Sequence, residues 1–146
     1  MALDIKILTV GKPDDWTQPA IQHWSRRIGV FASVRFDYIR TRDRAKLVES
    51  IHKRLSEFPI ALTRKGKRIS SLGWAKLLSD IELRAVSPTF IIGDAEGLPA
   101  EIIQSCKRKI SLAPITLQHD VALIVLLEQL FRALSILAGT PYHRGE

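Results

Sequence analysis

The chain is 146 residues long, 46% hydrophobic and 25% charged, and carries 22 Lys and Arg against 15 Asp and Glu with one Cys. That is one domain, long enough to bury its own core and too apolar to stay an unfolded polyelectrolyte. A net charge of +7 makes a polyanion the first partner to consider, and the lone Cys106 excludes an internal disulfide framework or a cysteine metal cage.

In chain order, Ile5, Ile7, Leu8 and Val10 form an apolar run ended by Gly11 and Pro13, which predicts a buried strand and a turn. Trp16, Ala20, Trp24 and Arg27 recur at helical spacing. Val34, Phe36 and Tyr38 alternate with Arg35 and Asp37 as in a second strand, and Leu47, Ile51 and Leu55 continue as an amphipathic helix that Pro59 stops. Ile60 to Leu62 is the third strand, followed by a basic loop around Gly66 and a helix from Leu72 to Leu83 with Ser70 or Ser71 as cap. Thr89 to Ile92 is a fully apolar strand running into Gly93-Asp94-Ala95-Glu96-Gly97 and a short helix from Pro99 to about Cys106. Ile110 to Leu112 supplies a fifth strand, and Val121 to about Leu137 a last helix closed by Gly139 and Pro141.

Strands alternating with helices predict a single α/β domain over residues 1–146, its mostly parallel sheet covered on both faces. The last helix is apolar around nearly its whole circumference, so it needs cover on more than one side, and a partner subunit is the expected second cover. Its charge-free stretch, Val121 to Leu127, is too short to span a bilayer, and Met1 to Lys6 lacks the pattern of a secretion signal, so a cytoplasmic protein is expected.

Ligands of open α/β sheets bind at the carboxyl ends of strands. Ile92 to Leu98 is the strongest candidate, because Gly93 and Gly97 permit close backbone approach and the next helix offers free amides. It is not a dinucleotide fingerprint, nor is Gly66-Lys67 a phosphate loop. Two basic clusters, Arg40, Arg42, Arg44 and Lys46 and then Arg64, Lys65, Lys67 and Arg68, follow strands and are placed on loops, where they suit a polyanion such as RNA. His119 has no Cys or second His at ligand spacing, so a structural hydrogen bond is expected of it, with Asp120 orienting the imidazole or, as the favoured role, capping the helix. Glu128 and Arg132 are expected to pair, and the tail brings together Tyr142, His143 and Arg144, a ring, a base and a guanidinium.

From end to end the chain resembles the RlmH type of SPOUT methyltransferase. The resemblance is carried by Val10-Gly11 with Trp16, Leu62 with Gly66-Lys67, Ile92-Gly93 followed by Glu96-Gly97-Leu98, and Thr116-Leu117 with His119. Glu128-Gln129-Leu130-Phe131-Arg132-Ala133 and Pro141-Tyr142-His143-Arg144 complete it. It implies methyl transfer from S-adenosyl-L-methionine to N3 of a pseudouridine in a hairpin of 23S, the ribosomal large-subunit RNA, with no metal. It also implies a homodimer and a deep trefoil knot in the C-terminal half, an exception to the rule against threaded chains. The cofactor site it implies comprises Leu62, Thr63, Gly93, Asp94, Gly97, Ala113, Pro114, Ile115, Thr116, Leu117 and Gln118, with Tyr142, His143 and Arg144 nearest the chemistry. Because the sulfonium already activates the methyl group, the protein's task is positioning and loss of the N3 proton, with His143 as acceptor or Arg144 stabilising the imide anion.

The chain departs from the family pattern at Thr63, usually Asp, at Asp94 and Ala95, usually Gly and Pro, at Gln118, usually Pro, at Leu123, usually Arg, and at Phe131, usually Tyr, and it has the extra Gly145. The same residues leave room for a SPOUT enzyme with a different RNA target and for a noncatalytic RNA-binding relative whose altered loop no longer holds cofactor.

Overall fold

The computed structural model describes residues 3–41 and 43–145, so the expected RNA contact Arg42 lies outside the described residues. Strands β1 (Asp4–Val10), β2 (Ser33–Ile39), β3 (Phe58–Arg68), β4 (Pro88–Ile92) and β5 (Arg108–Ser111) form one parallel sheet in the order β2-β1-β4-β3-β5. Helices α1 (Gln18–Ile28), α2 (Arg44–Arg54), α3 (Ser71–Leu83), α4 (Ala100–Ser105) and α5 (His119–Ala138) alternate with them. Every strand is parallel to its neighbours, so all carboxyl ends lie along one edge.

β4, buried at all five positions, is the middle of the sheet. Side chains alternate across the pleat and so divide into two cores. Ile5, Ile7, Ile60 and Phe90 face α1, α3 and α5, while Leu8, Val10, Ala61 and Ile91 face α2 and α4. Cys106 belongs to the second core, where burial pushes its thiol up to about 11, Lys109 opposing, so it stays protonated and inert.

Four readings of the sequence are corrected. Trp16 is not in the first helix but in a 3-10 turn, Asp15–Thr17, where it is 57% exposed; the helix begins at Gln18, with Pro19 in its first turn. Pro59 does not stop α2, which ends at Arg54 as Leu55 turns extended; Pro59 is the second residue of β3, a place where a missing amide is tolerated. Arg44 and Lys46 are not in a loop but in the first turn of α2, where Asp43 Oδ1 accepts hydrogen bonds from the amides of Ala45 and Lys46. The segment around Gly66 is strand as well.

β3 pairs with β5 at Leu62 opposite Ile110, then again at Lys67 opposite the same Ile110, so Thr63, Arg64, Lys65 and Gly66 form a long bulge. Bulges re-aim side chains and bend the strand. Here the bend presses Gly66 against β5: a Cβ at that position would lie 2.6 Å from the backbone nitrogen of Ile110. No other residue fits without parting the two strands.

α5 lies between α1 and α3, with Leu123, Leu126, Leu127 and Leu130 packed inward. By length and composition alone it could cross a membrane, having a mean hydropathy of 2.0 over its most apolar 18 residues, but that apolarity is put to use in the core. Leu123, where the family pattern has a cation, is 1% exposed. The outward stripe of Val121, Ile124 and Val125 remains half-buried or exposed, and Leu137, on another side near the helix end, is exposed.

Gly66→Ala is expected to lower folding stability by about 2 kcal/mol through overpacking at the β3–β5 crossing. Urea unfolding checks this, and an unchanged midpoint would show that the crossing can open at no cost.

Candidate active site

Along the carboxyl edge, the connections after β3, β4 and β5 surround a cleft of about 520 Å³, within the range of small-molecule sites. One wall is the β3 bulge with Leu62, Thr63, Arg64 and Lys65; the second is the Gly93–Leu98 turn; the third runs from Leu112 to the start of α5. Of the residues implied for the cofactor, Leu62, Thr63, Gly93, Asp94, Gly97, Ala113, Ile115, Thr116, Leu117 and Gln118 line this cleft, and Pro114 does not.

Local chemistry explains each wall. A Cβ at Gly93 would lie 2.8 Å from the backbone of Gly97 and Leu98, so the turn folds back on bare backbone, closed by the Gly97 amide donating to the Asp94 carbonyl at 2.9 Å. Asp94 Oδ1 accepts the amide of Glu96 at 3.0 Å and shapes the turn. On the third wall Gln118, not Asp120, caps α5: its Oε1 accepts the amides of Asp120 and Val121 at 3.0 and 3.2 Å. Asp120 instead is fully buried; its Oδ2 accepts the Asp14 amide at 3.3 Å and its Oδ1 lies 3.1 Å from His119 Nε2. This ties the loop before α1 to the cleft wall, with His119 facing the cleft. Neither the Gln118 cap nor the Asp120 tether was legible from local pattern, because both depend on which polar group reaches the helix start first.

The basic clusters divide. Arg64 and Lys65 line the cleft, and Arg64 Nη1 donates to Thr116 Oγ1 at 2.8 Å across its mouth, whereas Lys67 and Arg68 lie beyond the Gly66 crossing. Arg40 stacks on Tyr38, 5.2 Å from the ring centre, on the same edge of the sheet. Among the described residues, no three His, Cys, Asp or Glu gather into a set that could hold a metal ion.

Tyr142, His143 and Arg144 do not line the cleft of their own chain. Tyr142 docks on the far half of α5, its ring 4.8 Å from Phe131 and edge-on, its hydroxyl donating to Glu128 Oε2 at 2.8 Å. Arg132 donates to the same Glu128 oxygen at 2.6 Å, as expected of that pair, and its Nη1 lies 3.1 Å from His143 Nδ1. Arg27 sits over Phe131 at 4.4 Å and over Tyr142 at 5.2 Å. Glu128 and Phe131 follow His119 by nine and twelve residues, roughly 14 to 18 Å along the axis at 1.5 Å per residue. Burial alone would raise the Glu128 carboxyl, but hydrogen bonds from Arg132, Tyr142 and Gln129 and the Arg132 charge together hold it below its ordinary value. Burial and the hydrogen bond to Glu128 raise Tyr142.

A cleft built from three connections at the carboxyl ends of a parallel α/β sheet is where domains of this class bind small-molecule ligands. Residues 3–143 match the family model described as "Predicted SPOUT methyltransferase", and the chain belongs to this family. Two relatives, both named "Ribosomal RNA large subunit methyltransferase H", come from Synechococcus strains CC9311 and CC9902, at 34% and 37% identity over 143 residues, with 96% of each chain covered. The fold is shared with a probable methylase family protein from Haemophilus influenzae, 12% identical with a TM-score of 0.62 over 99% of this chain and 72% of that one. A probable methyltransferase from Bordetella pertussis gives 16% and 0.54 over 91% and 96%. The protein is thus a methyltransferase, and S-adenosylmethionine is its methyl donor. The backbone cradle at Gly93 and the size of the cleft fit that group.

A lowered carboxyl favours the docked tail fully above its ordinary value of 4.5 and loses its effect as pH falls through the lowered one. A raised phenol favours docking fully below 10.0 and loses its effect above that. Tyr142 ring-proton shifts, set by Phe131, are therefore expected to collapse toward free-tyrosine values on acidification below pH 4.5 in the unaltered protein. In Glu128→Gln that acid transition should be missing, and its persistence would assign the docking to other contacts.

Proposed function

We propose that the protein methylates N3 of a pseudouridine in large-subunit ribosomal RNA, as a homodimer in which the tail of one protomer completes the cleft of the other. The observation that carries this reading is the separation within one chain: the cleft adjoins the start of α5 and the tail docks toward its end. A two-fold dimer is self-complementary, so apposing two copies along α5 can bring the tail of each to the cleft of the other. The half-covered stripe of Val121, Ile124 and Val125 supplies an apolar face for such contact. Ribosomal RNA as substrate follows from the names of the relatives and suits a basic edge formed by Arg40, Arg44, Lys46, Lys67 and Arg68. The same family likeness supports a trefoil knot through β4, β5 and α5 and a cytoplasmic location.

When bound, S-adenosylmethionine supplies a methyl group already activated by its sulfonium. The residues of the chain do the remaining work. Backbone around Gly93 and from Ala113 to Leu117 holds the cofactor, and the docked tail holds the base edge in line. The contact of Arg132 Nη1 with His143 Nδ1, at 3.1 Å, holds the imidazole in the docked tail, where it meets the base edge as hydrogen-bond partner or proton acceptor. Arg144, exposed beside it, stabilises the imide anion left when the N3 proton passes to water. Turning a pseudouridine out of its stack is least costly in a hairpin loop.

Incubation with labelled S-adenosylmethionine and large-subunit RNA is expected to place one methyl group on a pseudouridine, and label confined to another RNA would contradict the assignment. His143→Ala with Arg144→Ala should cut that transfer at least a hundredfold with little change in thermal unfolding; parallel losses of activity and stability would remove the tail from the chemistry. Lys67→Glu with Arg68→Glu should weaken RNA binding and make it less salt-dependent, by about two charges in the log–log slope. An unchanged slope would take that segment off the RNA.

A further inference from the structure

S-Adenosylmethionine and its product S-adenosylhomocysteine carry an amino-acid end, with an ammonium and a carboxylate, that a mostly apolar, backbone-lined cleft must accommodate without leaving either charge unpaired. Apart from His119, the titratable side chains on the cleft walls are Arg64, Lys65, Asp94 and Glu96. Two of them are fixed. Arg64 is held over the mouth by its hydrogen bond to Thr116, which uses one of five N–H groups and leaves a fork that matches a carboxylate. Asp94 is half-buried and fixed by the Glu96 amide on Oδ1, leaving Oδ2 to take an ammonium. The two stand on different walls, Arg64 on the β3 bulge and Asp94 on the turn after β4, so a ligand in the cleft lies between opposite charges.

Resting on the methyl donor described above, we infer that Arg64 and Asp94 are the specificity residues for the amino-acid end of the cofactor, Arg64 taking the carboxylate and Asp94 the ammonium. The basic segment of β3 therefore serves two ligands. Ahead of the Gly66 crossing it faces the cofactor, and beyond it Lys67 and Arg68 face RNA. Lys65, exposed as Arg64 is but with a point charge on a flexible stem, lacks both the anchor and the fork.

Calorimetry with two ligands tests this: S-adenosylhomocysteine, and 5′-methylthioadenosine, which keeps the nucleoside and sulfur but lacks the amino-acid end. The unaltered protein should prefer S-adenosylhomocysteine. Arg64→Ala and Asp94→Asn should each weaken that ligand about tenfold and change methylthioadenosine less than twofold, erasing most of the preference. Equal losses for both ligands, or no loss for either, would overturn the proposal while leaving the methyl donor in place. If Arg64→Ala spares S-adenosylhomocysteine but weakens RNA binding, the side chain belongs to the RNA surface and the proposal falls. Failure of the unaltered protein to bind either ligand would remove it together with the reading on which it rests.

Discussion

Between Gly66 and Ile110 there is room for backbone and nothing else. Because β5 crosses β3 so closely at that point, Thr63, Arg64 and Lys65 just ahead of it are forced out of register and stand up as a wall. That wall closes the cleft on one side, turns Arg64 toward Thr116, and separates Arg64 and Lys65 from Lys67 and Arg68. The turn after β4 repeats the device on the opposite side, with Gly93 folded against Gly97 and Leu98. The walls of the site are set by two backbone-to-backbone approaches, at Gly66 and Gly93, so side chains such as Thr63 and Ala95 can differ from the family pattern without loss of the fold.

α5 organises the rest. Its first turn supplies His119 and Ala122 to the cleft, and its later turns supply Glu128, Phe131 and Arg132 to the tail. A rigid helix cannot bring its own two regions together, so the functional unit we propose is made by apposing two copies. Phe131 in place of Tyr suits this arrangement, since its ring needs no polar partner and packs with Trp24, Phe31, Tyr142 and the Arg27 guanidinium.

Strand and helix alternation made the five strands, the parallel sheet and the two cores legible in the sequence, because hydrophobic period reports burial directly. The Gly93 turn was legible for the same reason: an apolar strand running into paired glycines marks a strand end. The β3 bulge was not, since Gly and four cations read as a loop when the pairing partner lies far along the chain, at Ile110 against Lys67, 43 residues later. Trp16 matched the helical period of α1 and yet lies outside it, because Pro19 starts a helix more readily than it continues one. The assignment of Gln118 rather than Asp120 as cap turned on the draw of the Asp14 amide, a contact 106 residues apart that no local pattern contains. The resemblance supplied the role of the tail, which composition alone presented only as a useful mixture of groups.

A mixed-dimer assay tests most directly whether a cleft is completed by its partner's tail. One protein carries Gly93→Ala, which fills the cradle, and the other carries His143→Ala with Arg144→Ala. Each is inactive alone. After the two are mixed in equal amounts and allowed to exchange subunits, half the dimers are hybrids with one intact cleft facing one intact tail. The account predicts recovery of about a quarter of the unaltered activity. No recovery after verified exchange would mean that tail and cleft of the same chain act together.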